Sequence, residues 1–218
     1  MKQINIGAGR TYVPGFVNID IAEHAEITLN LNEDKLPFED SSVDLIFSYH
    51  TLEHVENYLF ALSEIYRVLK HGGVLLLGVP YVTLTKYNLV NPYHKQHFNE
   101  HAFRFFGNLK GSAIEENQIA FEQVYCKLFY MGTFKLLPPP LRNWCKNHLF
   151  NVVKKIEYGL VAIKTNDIEV NHSARELKKK YKEIARARKP YKPSASAKKS
   201  TPFEKVFKIT KLWWNGEI

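Results

Sequence analysis

Apolar residues fall in short bursts along the first eighty positions, at Gln3–Ile6, Phe16–Asp20, Glu26–Asn30, Val43–Ser48 and Val74–Val79, each closed by Gly, Pro, Asn or Asp. Bursts of that length with such boundaries predict strands, and their near-continuous apolar character predicts a largely parallel sheet. Between the fourth and fifth the period changes. Val55, Leu59, Leu62, Ile65, Tyr66 and Leu69 recur at three- and four-residue intervals until His71-Gly72-Gly73, which predicts a helix crossing between two parallel strands. Residues 80–98 are polar and aromatic and predict a loop at the C-terminal edge of the sheet, with Asn99 capping a helix through Phe103, Phe106 and Leu109. Phe121–Tyr130 and Glu157–Lys164 predict an antiparallel pair of final strands. The insertion between them, 131–156, contains a helical segment that places Leu141, Trp144, His148 and Cys145 toward one face.

Composition divides the chain. Its 218 residues suffice for one domain with an appendage, and we expect a domain at 1–168 and a basic C-terminal extension at 169–218. Residues 1–163 carry 15 Lys/Arg against 16 Asp/Glu, whereas 164–218 carry 15 against 6. In the extension, Arg175–Lys189 predicts a basic helix, Lys189–Thr201 a linker, and Phe203–Trp214 an amphipathic end too short to stand alone. A tail of this kind offers peripheral contact to the inner face of a membrane or to a partner protein. Nucleic acid is disfavoured, because stacking aromatics are not interleaved with the basic residues until Trp213-Trp214. Cys126 and Cys145 have no metal-type spacing, the N-terminus lacks a signal-peptide pattern, and the apolar run at Val74–Val79 is too short to span a bilayer. The expectation is a cytoplasmic protein.

The chemistry begins at Gly7-Ala8-Gly9. Two glycines after an apolar strand let backbone approach a ligand, and Asp20, ending the next strand, can accept hydrogen bonds from both hydroxyls of a ribose. The third glycine of a dinucleotide fingerprint is replaced by Tyr12, and only Arg10–Gly15 separate Gly9 from Phe16. A nucleoside without a pyrophosphate fits better.

Several blocks together resemble the class I S-adenosylmethionine-dependent methyltransferases, in particular small bacterial and archaeal members associated with polysaccharide synthesis. They are Asn5-Ile6-Gly7-Ala8-Gly9, Asp20, Asn30-Leu31, Leu36-Pro37-Phe38-Glu39-Asp40, Ser42–Ser48, Leu52-Glu53-His54-Val55 and Glu64–Gly73. The resemblance implies an α/β, Rossmann-like sheet of seven mostly parallel strands with the last antiparallel, here with a shortened first crossover and a basic helical C-terminal tail. It implies S-adenosyl-L-methionine as cofactor, held by Asn5, Gly7, Ala8, Gly9, Asp20, Ile21, Asn30, Leu31 and Ser48. Asn5 and Asn30 stand where the family usually has acids, so a loop contact to the methionyl ammonium is a neutral hydrogen bond, while the Asn30 carbonyl can still accept from the adenine amine. The function implied is methylation of a small-molecule or glycan hydroxyl. The alternatives are a catalytically silent assembly module of the same fold and, behind it, a nucleic-acid methyltransferase.

Catalytic candidates follow the fourth strand. His50 stands where a base for a hydroxyl acceptor belongs, with Glu53 and His54 beside it. Spacing i, i+3, i+4 also lets His50, Glu53 and His54 converge on a divalent ion with a loop histidine, but helix capping and hydrogen bonding to neighbours is the expected role and no metal is expected. Tyr93, His94 and His97 are the expected acceptor-side residues, with Phe98 available to stack on a ring and His101 nearby.

Overall fold

The computed structural model describes residues 1–106, 119–165 and 171–191. Its strands are β1 (Gln3–Ile6), β2 (Thr11–Tyr12), β3 (Val17–Asp20), β4 (Ile27–Thr28), β5 (Val43–Tyr49), β6 (Leu69–Pro80), β7 (Phe121–Tyr130), β8 (Val153–Ala162) and β9 (Lys189–Pro190). Seven of them form one sheet in the order β4-β3-β1-β5-β6-β8-β7. β1 pairs in parallel with β3 and β5, and β5 with β6, while β8 runs antiparallel to both β6 and β7. The strand order reverses between β3 and β5 on either side of β1, which in open α/β sheets is where ligands bind.

Alternation along β6 sorts its side chains onto two cores. Leu75 and Leu77 join Ile4, Ile6, Ile46 and the α1 (Tyr58–Val68) residues Ala61, Leu62 and Ile65 on one face. Val74 and Leu76 join Leu45, Phe47 and Val13 on the other. The predicted helix from Val55 to Leu69 is thus present but starts later, after a 3-10 turn at Leu52–His54, and β6 leaves it without a loop.

Arg67 fastens α1 to the segment before β5. Its guanidinium donates to both oxygens of Glu64, at 2.8 Å each, to the carbonyls of Phe38 and Leu36, and to Asp40. Leu36 N donates to the same Glu64 carboxylate at 2.9 Å. The Arg67 hydrogen bond holds the Glu64 carboxyl below its usual range, against the opposing effect of burial. A carboxylate depressed in the folded state stabilises above its ordinary pKa of 4.5, and that stabilisation is lost as pH falls through the depressed value. Arg67→Ala is expected to cost about 3 kcal/mol by leaving the buried carboxylate unpaired. Urea titrations at pH 7 and pH 3.5 check this, since the wild-type advantage over the variant must shrink at the lower pH.

The short first crossover has a structural answer at the other end of the chain. Helix α3 (Ala174–Ala187) packs Leu177, Tyr181 and Ile184 onto the sheet face opposite α1, over Leu45, Phe47, Leu76 and Val161. The Tyr181 hydroxyl sits so close over Gly78 that a Cβ there would lie 1.9 Å from it. Ser173 caps the helix by accepting from Glu176 N at 3.1 Å, and β9 then pairs antiparallel with β2 inside the shortened crossover. The first part of the basic extension is therefore built into the core. Leu177→Ala should cost about 2–4 kcal/mol, read as a lower urea midpoint with unchanged slope.

Other boundaries move. The helix expected after Asn99 is a loop with a 3-10 turn at Arg104–Phe106, because the Asn99 side chain accepts from His101 N and closes a turn instead; Leu109 lies outside the described residues. Phe98 is core, 2 % exposed and ringed by Tyr58 and Phe103, so it is not free to stack on substrate. In the insertion, α2 (Pro139–His148) buries Cys145, while Leu141 and Trp144 face outward and His148 stacks on Trp144. The linker expected at Lys189–Thr201 begins instead as β9; its remainder from 192 and the amphipathic end Phe203–Trp214 lie outside the described residues.

Candidate functional site

Two recesses open at the C-terminal edge of the sheet. The first is a cleft of about 220 Å³ lined by Ile6, Gly7, Asp20, Asn30, Thr51 and His54, among others. Gly7 has φ +73°, and a Cβ on it would fall 1.8 Å from Thr51 Oγ1. Glycine is required there twice over, by backbone sign and by space. The turn is held from below, Gly7 N donating to Ile19 O at 2.8 Å and Gly9 N to Asp20 Oδ2 at 2.8 Å. Asp20 Oδ1 accepts from Ala22 N at 3.0 Å. Each carboxylate oxygen thus keeps a lone pair for a ligand hydroxyl. Ile21, exposed, and Leu31, half-buried, supply apolar walls.

Not every expected donor residue reaches this cleft. Asn5 points into the sheet, where its amide donates to Asn18 Oδ1 at 2.9 Å; strand alternation puts it on the face opposite Ile4 and Ile6. Ser48 in β5 and Ala8 in the turn are both buried, and neither lines the cleft. Gly9 contributes through its hydrogen bond to Asp20. Asn30 does line the cleft, but its Oδ1 already accepts from Asn32 N and Nδ2, which corrects the expected free carbonyl. Asn32 was not foreseen. Its Oδ1 accepts from Glu56 N and Asn57 N and so fixes the start of α1 against the cleft.

The second recess is a cavity of about 690 Å³ lined by Tyr49, His50, Glu53, His94, Phe129 and Lys155, among others. His54 lines both recesses. His50 leaves β5 with φ +55° and its N–H bonded to Gly78 O at 2.8 Å. Left-handed backbone at a non-glycine residue costs of order 1–3 kcal/mol and is kept where the surroundings fix it. Its Nδ1 lies 2.9 Å from Glu53 Oε1, the carboxylate being wholly buried and the imidazole side chain 39 % exposed. A carboxylate-held Nδ1–H leaves the lone pair on Nε2. His94 also faces the cavity, and burial together with the charge of His54 lowers its pKa. Tyr93 and His97 do not line it: Tyr93 is 73 % exposed and contributes its carbonyl, and His97 bonds to Asn88. Lys154, Lys155, Phe129 and Met131 complete the wall from β7, β8 and the insertion between them.

Residues 17–77, from β3 through most of β6, match a methyltransferase-domain family. A solved S-adenosylmethionine-dependent methyltransferase from Archaeoglobus fulgidus superposes with a TM-score of 0.53 at 14% identity, over 73% of this chain and 85% of that one. The domain match and the shared fold support a class I S-adenosylmethionine-dependent methyltransferase. An uncharacterized protein of Methanocaldococcus jannaschii is 37% identical to this chain over 107 residues, 48% of this chain and 42% of the relative. A protein of Mycolicibacterium smegmatis named as an S-adenosylmethionine-dependent methyltransferase is 34% identical over 71 residues, 31% of this chain and 28% of the relative. This chain thus spans less than half the length of either curated relative. The matched methyltransferase domain implies S-adenosyl-L-methionine as cofactor, and the first recess fits it, with a glycine turn that a Cβ would fill, an acid with free lone pairs and apolar walls. Among the described residues no helix is long and apolar enough to cross a membrane.

Proposed function

We propose that this methyltransferase O-methylates a hydroxyl of a small molecule or glycan, with donor in the Gly7–Asp20 cleft and acceptor in the cavity beyond His54. The observation that carries this reading is the junction of the two recesses, where His54 lines both and His50, backed by Glu53, lines the larger. When bound, S-adenosylmethionine would supply a sulfonium-bound methyl group to the acceptor oxygen and leave as the thioether S-adenosylhomocysteine. The chain's own residues do the rest. Asp20 would accept hydrogen bonds from the ribose hydroxyls, Ile21 and Leu31 would supply apolar surface for the base, and Gly7 would let the donor approach the backbone. His50 takes the acceptor proton at Nε2, and the Glu53 carboxylate at Nδ1 stabilises the imidazolium that results. Tyr49, Phe129 and Met131 exclude water from one side of the cavity.

The substitutions at Asn5 and Asn30 motivate a silent fold; Asn5 gives that reading no support, because its amide is turned into the sheet onto Asn18, whereas Asn30 lines the cleft with its carbonyl already held by Asn32. Isothermal titration with sinefungin, followed by S-adenosylhomocysteine release over a panel of phenols, sugars and lipid-linked glycans, tests the proposal. Binding with turnover on a hydroxyl is expected. Absence of sinefungin heat would sink it.

A further inference from the structure

Where the two recesses meet, Glu53, His54 and His94 each bring one ligand-type atom to within 4.8 Å of the others. Both imidazoles are oriented by carbonyl oxygens. His54 Nδ1 lies 3.1 Å from the Tyr93 carbonyl, and His94 Nδ1 lies 2.9 Å from Oδ1 of Asn88, itself 1 % exposed. A ring nitrogen facing a carbonyl carries the proton, so Nε2 carries the lone pair in both rings. This is how metal-binding histidines are held, with the second nitrogen donating to a carbonyl or carboxylate. The two rings meet edge to face with centroids 4.5 Å apart.

The carboxylate adds an independent sign. Glu53 is 0 % exposed, its Oε1 holds His50, and its Oε2 is buried without a hydrogen-bond partner. A buried carboxylate oxygen with no donor is unfavourable unless a cation stands beside it. Asn88 is a buried polar residue that the methyl-transfer reading does not use. Its Nδ2 bonds to Val82 O while its Oδ1 orients His94.

We propose that Glu53, His54 and His94 bind a divalent transition-metal ion at the wall of the acceptor cavity. Two imidazoles and one carboxylate suit zinc or iron(II) and not magnesium or calcium, which prefer oxygen ligands. Metal bonds of about 2.1 Å at tetrahedral angles bring ligand atoms to about 3.4 Å from one another, a closure that the exposed His54 side chain can supply by rotation. The ligand set is not the one that spacing alone suggested: His50 is withdrawn to the outer side of Glu53, and His94 from the loop takes its place. Three protein ligands leave a fourth position open, and all three line the acceptor cavity. Resting on the methyl-transfer reading, that open position holds the acceptor oxygen and lowers the pKa of its hydroxyl, so that His50 receives the proton more easily.

The full chain, stripped with a chelator, is titrated with Co²⁺ and followed by its visible d–d bands, with sinefungin calorimetry on the same sample. One equivalent is expected, undisplaced by a large excess of Mg²⁺. His94→Ala and Glu53→Gln should weaken Co²⁺ binding by more than about 100-fold and Asn88→Ala by about 10- to 100-fold, while His148→Ala, on α2 against Trp144, leaves it unchanged. His54 is exposed, so His54→Ala keeps the fold and carries the same expectation as His94→Ala. No stoichiometric uptake, or uptake that survives both His54→Ala and His94→Ala, overturns the site. Sinefungin heat without Co²⁺ uptake overturns the metal alone and leaves methyl transfer standing. Co²⁺ uptake without sinefungin heat supports the metal and removes methyl transfer.

Discussion

Replacing His50 with alanine is expected to lower kcat by about 10²- to 10⁴-fold, the range for loss of a positioned general base. Donor affinity should stay within about threefold, since His50 lines the acceptor cavity and not the donor cleft. The measurement is S-adenosylhomocysteine release under saturating donor, beside sinefungin calorimetry on the same variant. Loss of both turnover and donor binding would mean that His50 holds the β5 exit together and moves no proton. Its strained backbone makes that a real contrast: His50→Gly relieves the left-handed φ while deleting the imidazole, so it should be no less stable than His50→Ala and equally inactive. A stable, active His50→Gly would remove the base assignment.

Gly7→Ala is the second large effect. The new methyl would collide with Thr51, whose Oγ1, Cγ2 and Cβ all lie within 2.5 Å of the built Cβ, and the backbone would carry left-handed strain of about 1–3 kcal/mol in addition. Sinefungin affinity is expected to fall by about 100-fold, and kcat with it, because Thr51 is the next residue after His50 and moves the base when it is pushed. Gly9 provides the internal comparison. It shares a positive φ, but a Cβ there meets nothing within 4 Å, so Gly9→Ala should cost only the strain and reduce affinity by about tenfold. Equal losses at the two positions would show that backbone sign alone matters and that contact with Thr51 does not.

Much of the scaffold was legible because the physics that writes it is local. Short apolar bursts bounded by turn residues located β1, β3, β5 and β6, and the three-four period located α1 between the last two. The glycine turn and Asp20 needed only that order to be placed at one edge. What the sequence could not show was which side of a strand a polar residue takes when both faces are covered. Asn5 and Ser48 sit in strands buried on both sides, and there a polar side chain is spoken for by a neighbour such as Asn18 or lies hidden, with no alternation to reveal it. Phe98 gave an aromatic signal that loop context made ambiguous, and packing on Tyr58 and Phe103 decided it for the core. The acceptor wall was hidden for a different reason. Phe129, Met131, Lys154 and Lys155 lie some eighty or more residues from His50 in the chain, and only the antiparallel return of β8 beside β6 brings them together. The capping pattern Ser173-Ala174-Arg175-Glu176 was a readable signal for the start of α3, but composition drew attention to its charge and away from Leu177, Tyr181 and Ile184, which recur at the spacing of a buried face.

That last helix has a consequence for how the protein is made. Leu45, Phe47 and Leu76 emerge from the ribosome early, yet the residues that cover them come about a hundred positions later or more, and β2 waits for β9 in the same way. The half-built sheet must therefore carry an uncovered apolar face until synthesis has passed residue 187, a state prone to aggregation. A nascent chain halted at residue 170 should engage chaperones that bind exposed apolar surface, and one halted far enough beyond 191 for that segment to clear the exit tunnel should release them.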